Sequence, residues 1–204
     1  MSVQIAERVQ ATEYFSERHR LGLDKYDEVW DGVTIVMPLA DISHQVLASK
    51  IAGIIQAIFN FQTPPDIMAG ANVSDRVDGW THNYRCPDVV VAFENSIAVN
   101  CDTHWCGGPD FLVEIVSEDD RCRDKLPFYA SVNTREVLIV DRDPWQLELY
   151  QLKNNEMVEI GRSTIDQPIV LTSSVLPVTF RLVEGAARPQ IEMVHLENGQ
   201  AWQI

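Results

Sequence analysis

Pro87-Asp88 opens the apolar run Val89-Val90-Val91, and a second run, Phe111 to Val116, carries Glu114 in its middle. A carboxylate set among strand-forming apolar residues must be paired, protonated or bound to a cation, because an isolated buried charge is heavily penalised. A divalent metal ion shared by Asp88 and Glu114 meets that requirement. The segment Arg121-Cys122-Arg123-Asp124-Lys125 follows closely and would carry positive charge to the same end of a sheet. Two acids around a metal ion, with a lysine beside them, form a minimal set for hydrolysing a phosphodiester. The ion polarises the phosphate and acidifies a water, and Lys125 orients that water or neutralises the developing charge. Mg2+ (or Mn2+) is the expected ion, since Mg2+ takes oxygen ligands and needs only one or two carboxylates. Glu28 is a further candidate ligand.

Each residue also has a plainer reading. Asp88 could be a turn residue capping its strand, Glu114 an inward charge paired with Arg123 or Arg85, and Lys125 a solvated group in a first helical turn. A lone histidine such as His44, near a helix start, is commonly a capping or packing residue. Cys101, His104 and Cys106, with Cys86 or His82 at a distance, offer soft ligands, but their spacing fits no standard zinc pattern. Packing is the expected role of Trp80, Trp105 and Trp145.

The elements that must position these groups follow from periodicity. Residues 10 to 18 read as a short helix, and residues 26 to 37, centred on Asp31-Gly32, as two short strands and a tight turn. Leu47, Ile51, Ile54, Ile55 and Ile58 recur at helical spacing after a cap at Asp41 or Ser43. Strand-like runs follow at 67 to 73, 87 to 93 and 110 to 116. A second helix is expected from Asp124 as cap, with Pro127 in its first turn. Residues 135 to 141, 146 to 152, 157 to 160 and 177 to 182 read as further strands.

At 204 residues and 46% hydrophobic, the chain can bury one sizeable core. No signal peptide or membrane span is expected. The four cysteines are too few for a disulfide scaffold, so a reducing cytoplasm is the expected compartment. The net charge of -14 counts against contact with a polyanion, although local fields matter more than the total.

The order of residues carries a resemblance. Glu28 and Asp31-Gly32 come first, then His44 in a helix, Pro87-Asp88, Glu114-Ile115-Val116-Ser117, Arg123-Asp124-Lys125 with Tyr129, and Val137 to Asp141. Over residues 26 to 152 this resembles the Uma family of putative restriction endonucleases, a bacterial branch of the PD-(D/E)XK nuclease superfamily. The resemblance implies a restriction-endonuclease-like core in which Asp88 and Glu114 hold Mg2+ and the carbonyl of Ile115 completes the shell. The superfamily places a lysine two residues after the glutamate. Val116 stands there, so the role moves to Lys125 on the following helix. DNA is the implied substrate, with Arg85, Arg121, Arg123 and His44 as expected substrate-binding residues.

The expected fold class is α/β (α+β), a mixed central sheet flanked by helices with additional antiparallel strands. Residues 1–186 are expected to form a single domain. Residues 187–204 are expected as a C-terminal extension whose alternation could add an edge strand, and a homodimer is a possible assembly. The alternative to a Mg2+-dependent endonuclease is a catalytically inactive module on the same fold, an acidic homodimeric interaction protein. The net charge and the missing strand lysine motivate that alternative.

Overall fold

A computed structural model of the protein describes residues 8–38, 40–63, 65–117 and 121–204. Among them are three α-helices, α1 (Arg8–Arg20), α2 (Ile42–Ile58) and α3 (Leu126–Ser131), around a mixed six-stranded sheet. The strands lie in the order 156–164, 145–153, 136–142, 111–115, 89–92 and 66–69. Strands 111–115 and 136–142 are parallel, and their neighbours pair antiparallel. A parallel pair cannot be closed by a tight turn. Its crossover here contains a 3₁₀ turn, Cys122–Lys125, and then α3.

The central sheet is buried on both faces, which is why its inner strands read as unbroken apolar runs. Val89, Val91, Phe111, Val113, Ile115, Leu138 and Val140 pack with Leu47, Ile51, Ile55 and Ile58 of α2. The same core takes in a C-terminal four-stranded sheet through Phe180, Leu182, Ile191 and Met193. On the other face Val90, Leu112, Val137 and Ile139 meet Phe128, Tyr129 and Val132 of the crossover. A third sheet of short strands, in the order 33–35, 28–30, 84–85, 73–74, 105–106 and 99–100, adjoins this second core through Val73 and Trp105.

Local sequence explains most boundaries. Of the two candidate caps for α2, Asp41 is the one used. Its carboxylate accepts the His44 N–H at 2.7 Å and the Ser43 hydroxyl at 2.6 Å. Those bonds, together with Arg142, hold the Asp41 carboxyl below the usual carboxylate range. Asp31 and Gly32 both have positive φ, 47° and 84°, as the tight turn between strands 28–30 and 33–35 requires. Gly32 is also fixed by space, since a Cβ there would lie 2.7 Å from the His82 ring.

Several boundaries differ from the expectations. Asp124 is not a helix cap. It lies inside the 3₁₀ turn and pairs with Arg121 at 2.7 Å, while Lys125 occupies the capping position and Pro127 stays in the first turn of α3. The run 67 to 73 divides into strands 66–69 and 73–74 in two different sheets, with Gly70 at φ 65° between them. The strand expected to end at 160 continues to Thr164. Beyond residue 186, Gln190–His195 pairs with Val178–Val183, and Ala201–Gln203 lies at the edge of that sheet. No helix among the described residues is long and apolar enough to cross a membrane.

Ile55 is fully buried where α2 meets the central sheet. Ile55→Ala is expected to lower unfolding free energy in urea by about 2–5 kcal/mol. A loss below about 1 kcal/mol would show that α2 is not packed as described.

Candidate active site

Side chains alternate along a strand, so residues 88, 90 and 92 share a face, as do 112 and 114. Strands 89–92 and 111–115 are antiparallel neighbours with Val89 opposite Val113 and Val90 opposite Leu112. This register brings Asp88 and Glu114 to the same end of adjacent strands, on the face covered by the crossover. Both line one small cavity of about 50 Å³, together with His44, Cys86, Ile115, Ser117 and Lys125.

Glu114 is 2% exposed and Lys125 equally so. Lys125 Nζ donates to Glu114 Oε2 at 3.0 Å and stands 2.9 Å from Glu28 Oε1. The Tyr129 hydroxyl donates to the other oxygen of Glu114. Glu28 is completely buried and accepts the Trp30 indole N–H at 2.7 Å and the Cys86 backbone N–H at 2.9 Å. Lys125 thus joins the strand unit of Glu28 to the central strand of Glu114. The counter-ion of Glu114 is this lysine, and neither Arg123 nor Arg85 contributes to it.

Burial raises the Glu114 pKa above the ordinary carboxylate range. Lys125 opposes the rise, and the charges of Asp88 and Glu28 add to it. Burial and the neighbouring Glu114 likewise push the Tyr129 phenol well above its usual value. The Cys86 thiol is pushed up to about 12, chiefly by burial, which removes it as a nucleophile.

Asp88 is held differently. Its Oδ2 accepts the Ile115 N–H at 2.7 Å and its Oδ1 lies 2.7 Å from His44 Nε2. The other ring nitrogen of His44 is 3.1 Å from Ser117 Oγ. The Asp88 side chain is 23% exposed, so this carboxylate is the one that reaches solvent.

The three arginines expected at the substrate are dispersed. Arg85 is buried against the rings of Trp30 and Phe128, and its Nη1 donates to the carbonyls of Val29 and Tyr84 and to Asn83. Arg123 binds Glu148 at 2.7 Å and Asp141 at 2.9 Å. Neither lines the cavity. Arg121 is half exposed and stacks on Trp30, 4.9 Å from the ring centre. His104 bonds to the Arg76 carbonyl and stacks on Trp80. Sequence reasoning gave no role to Tyr129, Trp30 or Ser117. The available signal for Tyr129 was its place four residues after Lys125, a spacing that aligns side chains on a helical face.

The donor set suits a hard cation. Asp88 and Glu114 line the cavity and keep acceptor capacity beyond the bonds described, whereas Glu28 does not line it and is taken up by Trp30, Cys86 and Lys125. Among the described residues no group of three or more His, Cys, Asp or Glu side chains is arranged around a metal position, and the cysteines form no such group either. Two carboxylates nonetheless suffice for Mg2+, which retains several waters.

A carboxyl whose folded pKa is raised adds stability that is present at low pH and lost as pH rises through the folded value. Stability of the metal-free protein should therefore fall, relative to Glu114→Gln, as pH climbs above the ordinary glutamate range. Urea unfolding across pH tests this. Parallel profiles for the two proteins would show that Glu114 is not held in this way.

The family model described as "Uma2: Putative restriction endonuclease" matches residues 15–182. No curated protein matches the chain. Among solved structures, the chain is similar to a crystal structure of a putative nuclease belonging to DUF820 from Anabaena variabilis. The TM-score is 0.55 at 18% identity, covering 72% of this chain and 80% of that one. The similarity establishes a nuclease-like α+β fold, and the chain belongs to the Uma2 family of putative restriction endonucleases.

Proposed function

We propose that this chain is a divalent-cation-dependent endonuclease that hydrolyses phosphodiester bonds of DNA, using Mg2+ or Mn2+. The observation that carries the reading is the convergence of Asp88, Glu114 and Lys125 on one cavity. Family membership supports it.

Asp88 and Glu114 would hold the ion, with the Ile115 carbonyl as a further oxygen donor. The bound ion would polarise the scissile phosphate and lower the pKa of a coordinated water. Tyr129 orients the Glu114 carboxylate through its hydroxyl. Lys125 supplies the positive charge that developing charge on the phosphate requires, in a buried setting where such an interaction is strong. Glu28, saturated by Trp30 and Cys86, acts as the anchor that sets the lysine's direction. Arg121, half exposed and four residues before Lys125, would be a basic group open to a backbone phosphate.

The test is cleavage of plasmid and single-stranded DNA with Mg2+ and with Mn2+. Asp88→Ala and Lys125→Ala should each lower the rate by about 10²–10³-fold, with folding checked by circular dichroism. No cleavage by wild type with either ion, together with unchanged ion binding in Asp88→Ala, would reject the assignment.

A further inference from the structure

We propose that His44 is the positioning residue of Asp88 for cation binding, with Ser117 fixing the histidine ring. This rests on the reading of Asp88 as a cation ligand. His44 sits in the first turn of α2, where its own N–H is tied to Asp41, so its backbone is fixed by the helix cap. Its side chain is 6% exposed and its two ring nitrogens meet Asp88 and Ser117. Such a ring is poorly placed to meet substrate and well placed to hold a neighbour.

Both Asp88 oxygens are held by hydrogen bonds. Asp88 accepts from the Ile115 N–H on Oδ2, and an ionised carboxylate can only accept, so the His44 Nε2 that faces Oδ1 is the nitrogen that carries a proton. Nδ1 lies 3.1 Å from the Ser117 hydroxyl, which donates to it when the ring is neutral. One oxygen of Asp88 is thereby held by a central strand and the other by α2. The terminal torsion of an aspartate is otherwise broad and roughly two-fold. Holding both oxygens fixes the carboxylate plane while leaving each a second acceptor position for an ion. Partners in this outer position contribute about 10–100-fold to metal affinity.

The same order of hydroxyl, imidazole and carboxylate also composes nucleophilic triads. Here the carboxylate stands beside Glu114 and Lys125 in the cavity, which favours the positioning role.

The test is Mn2+ binding by calorimetry on the full chain, with thermal unfolding of the metal-free proteins alongside. His44→Ala should weaken Mn2+ binding by about 10–100-fold, and His44→Gln, whose amide N–H can reach Asp88, should recover most of the loss. Ser117→Ala should weaken binding less, and should add nothing once His44 is alanine. If His44→Ala fails to fold, Ser117→Ala and His44→Gln carry the comparison. Wild-type affinity in Ser117→Ala, or in a folded His44→Ala, overturns the proposal while the cation reading stands, provided Asp88→Ala loses binding. Wild type that binds no Mn2+ removes both. Labelling of Ser117 by a fluorophosphonate would also overturn it, since the hydroxyl would then be a nucleophile and not a prop.

Discussion

A lysine ammonium removed from water must find carboxylates, and the position of Lys125 decides much else in this molecule. Its partners come from two places, Glu28 in the small sheet and Glu114 in a central strand, while the lysine itself is carried by the crossover. One charge therefore ties together three parts of the chain, of which the strand of Glu28 is remote in sequence from the other two. Buried ion pairs of this kind are weak grounds for stability, because desolvation offsets much of the attraction. What this one fixes is place. Removing either acid would leave the ammonium under-compensated, and removing the lysine would leave Glu28 and Glu114 facing each other without a cation.

The surroundings reinforce that placement. Arg123, two residues before Lys125, is braced by Glu148 and Asp141 on neighbouring strands, and Glu148 also accepts the Tyr150 hydroxyl. This holds the 3₁₀ turn against the sheet. Arg85 lies beneath, between the Trp30 and Phe128 rings, and burial lowers its pKa although nearby carboxylates oppose that. The residue expected to touch substrate is a structural pillar of the site. Trp30 joins the two regions, since its ring meets Arg85 and Arg121 while its indole N–H holds Glu28.

Much of this could be read from the chain because it depends on period. The α2 core face, the Asp31-Gly32 turn and the inner strands are local patterns, and the sharing of one face by Asp88 and Glu114 follows once their strands are neighbours. The partners of each charge were not legible. Lys125 and Glu28 are far apart in sequence, and nothing local marks one as the counter-ion of the other. Arg85 and Arg123 look alike as letters beside acidic strands, yet one is stacked between rings and the other bound to Glu148. Two-residue strands such as 84–85 and 105–106 leave no periodic trace. The division of residues 66 to 74 hinges on Gly70 adopting a left-handed backbone, which alternation alone does not reveal.

The crossover between strands 111–115 and 136–142 has a bearing on how the protein comes into being. The two acids belong to antiparallel neighbours, and the ladder between them involves no residue C-terminal to Ile115. Lys125 and Tyr129, by contrast, lie on a segment that is pressed onto the sheet only when the later parallel strand docks. A chain emerging from the ribosome would thus carry Glu28 and Glu114 before their cation. In chain order Glu114 precedes Lys125, and Lys125 precedes the strand Glu136–Arg142 that closes the crossover, so the charged cluster is complete only in the paired sheet.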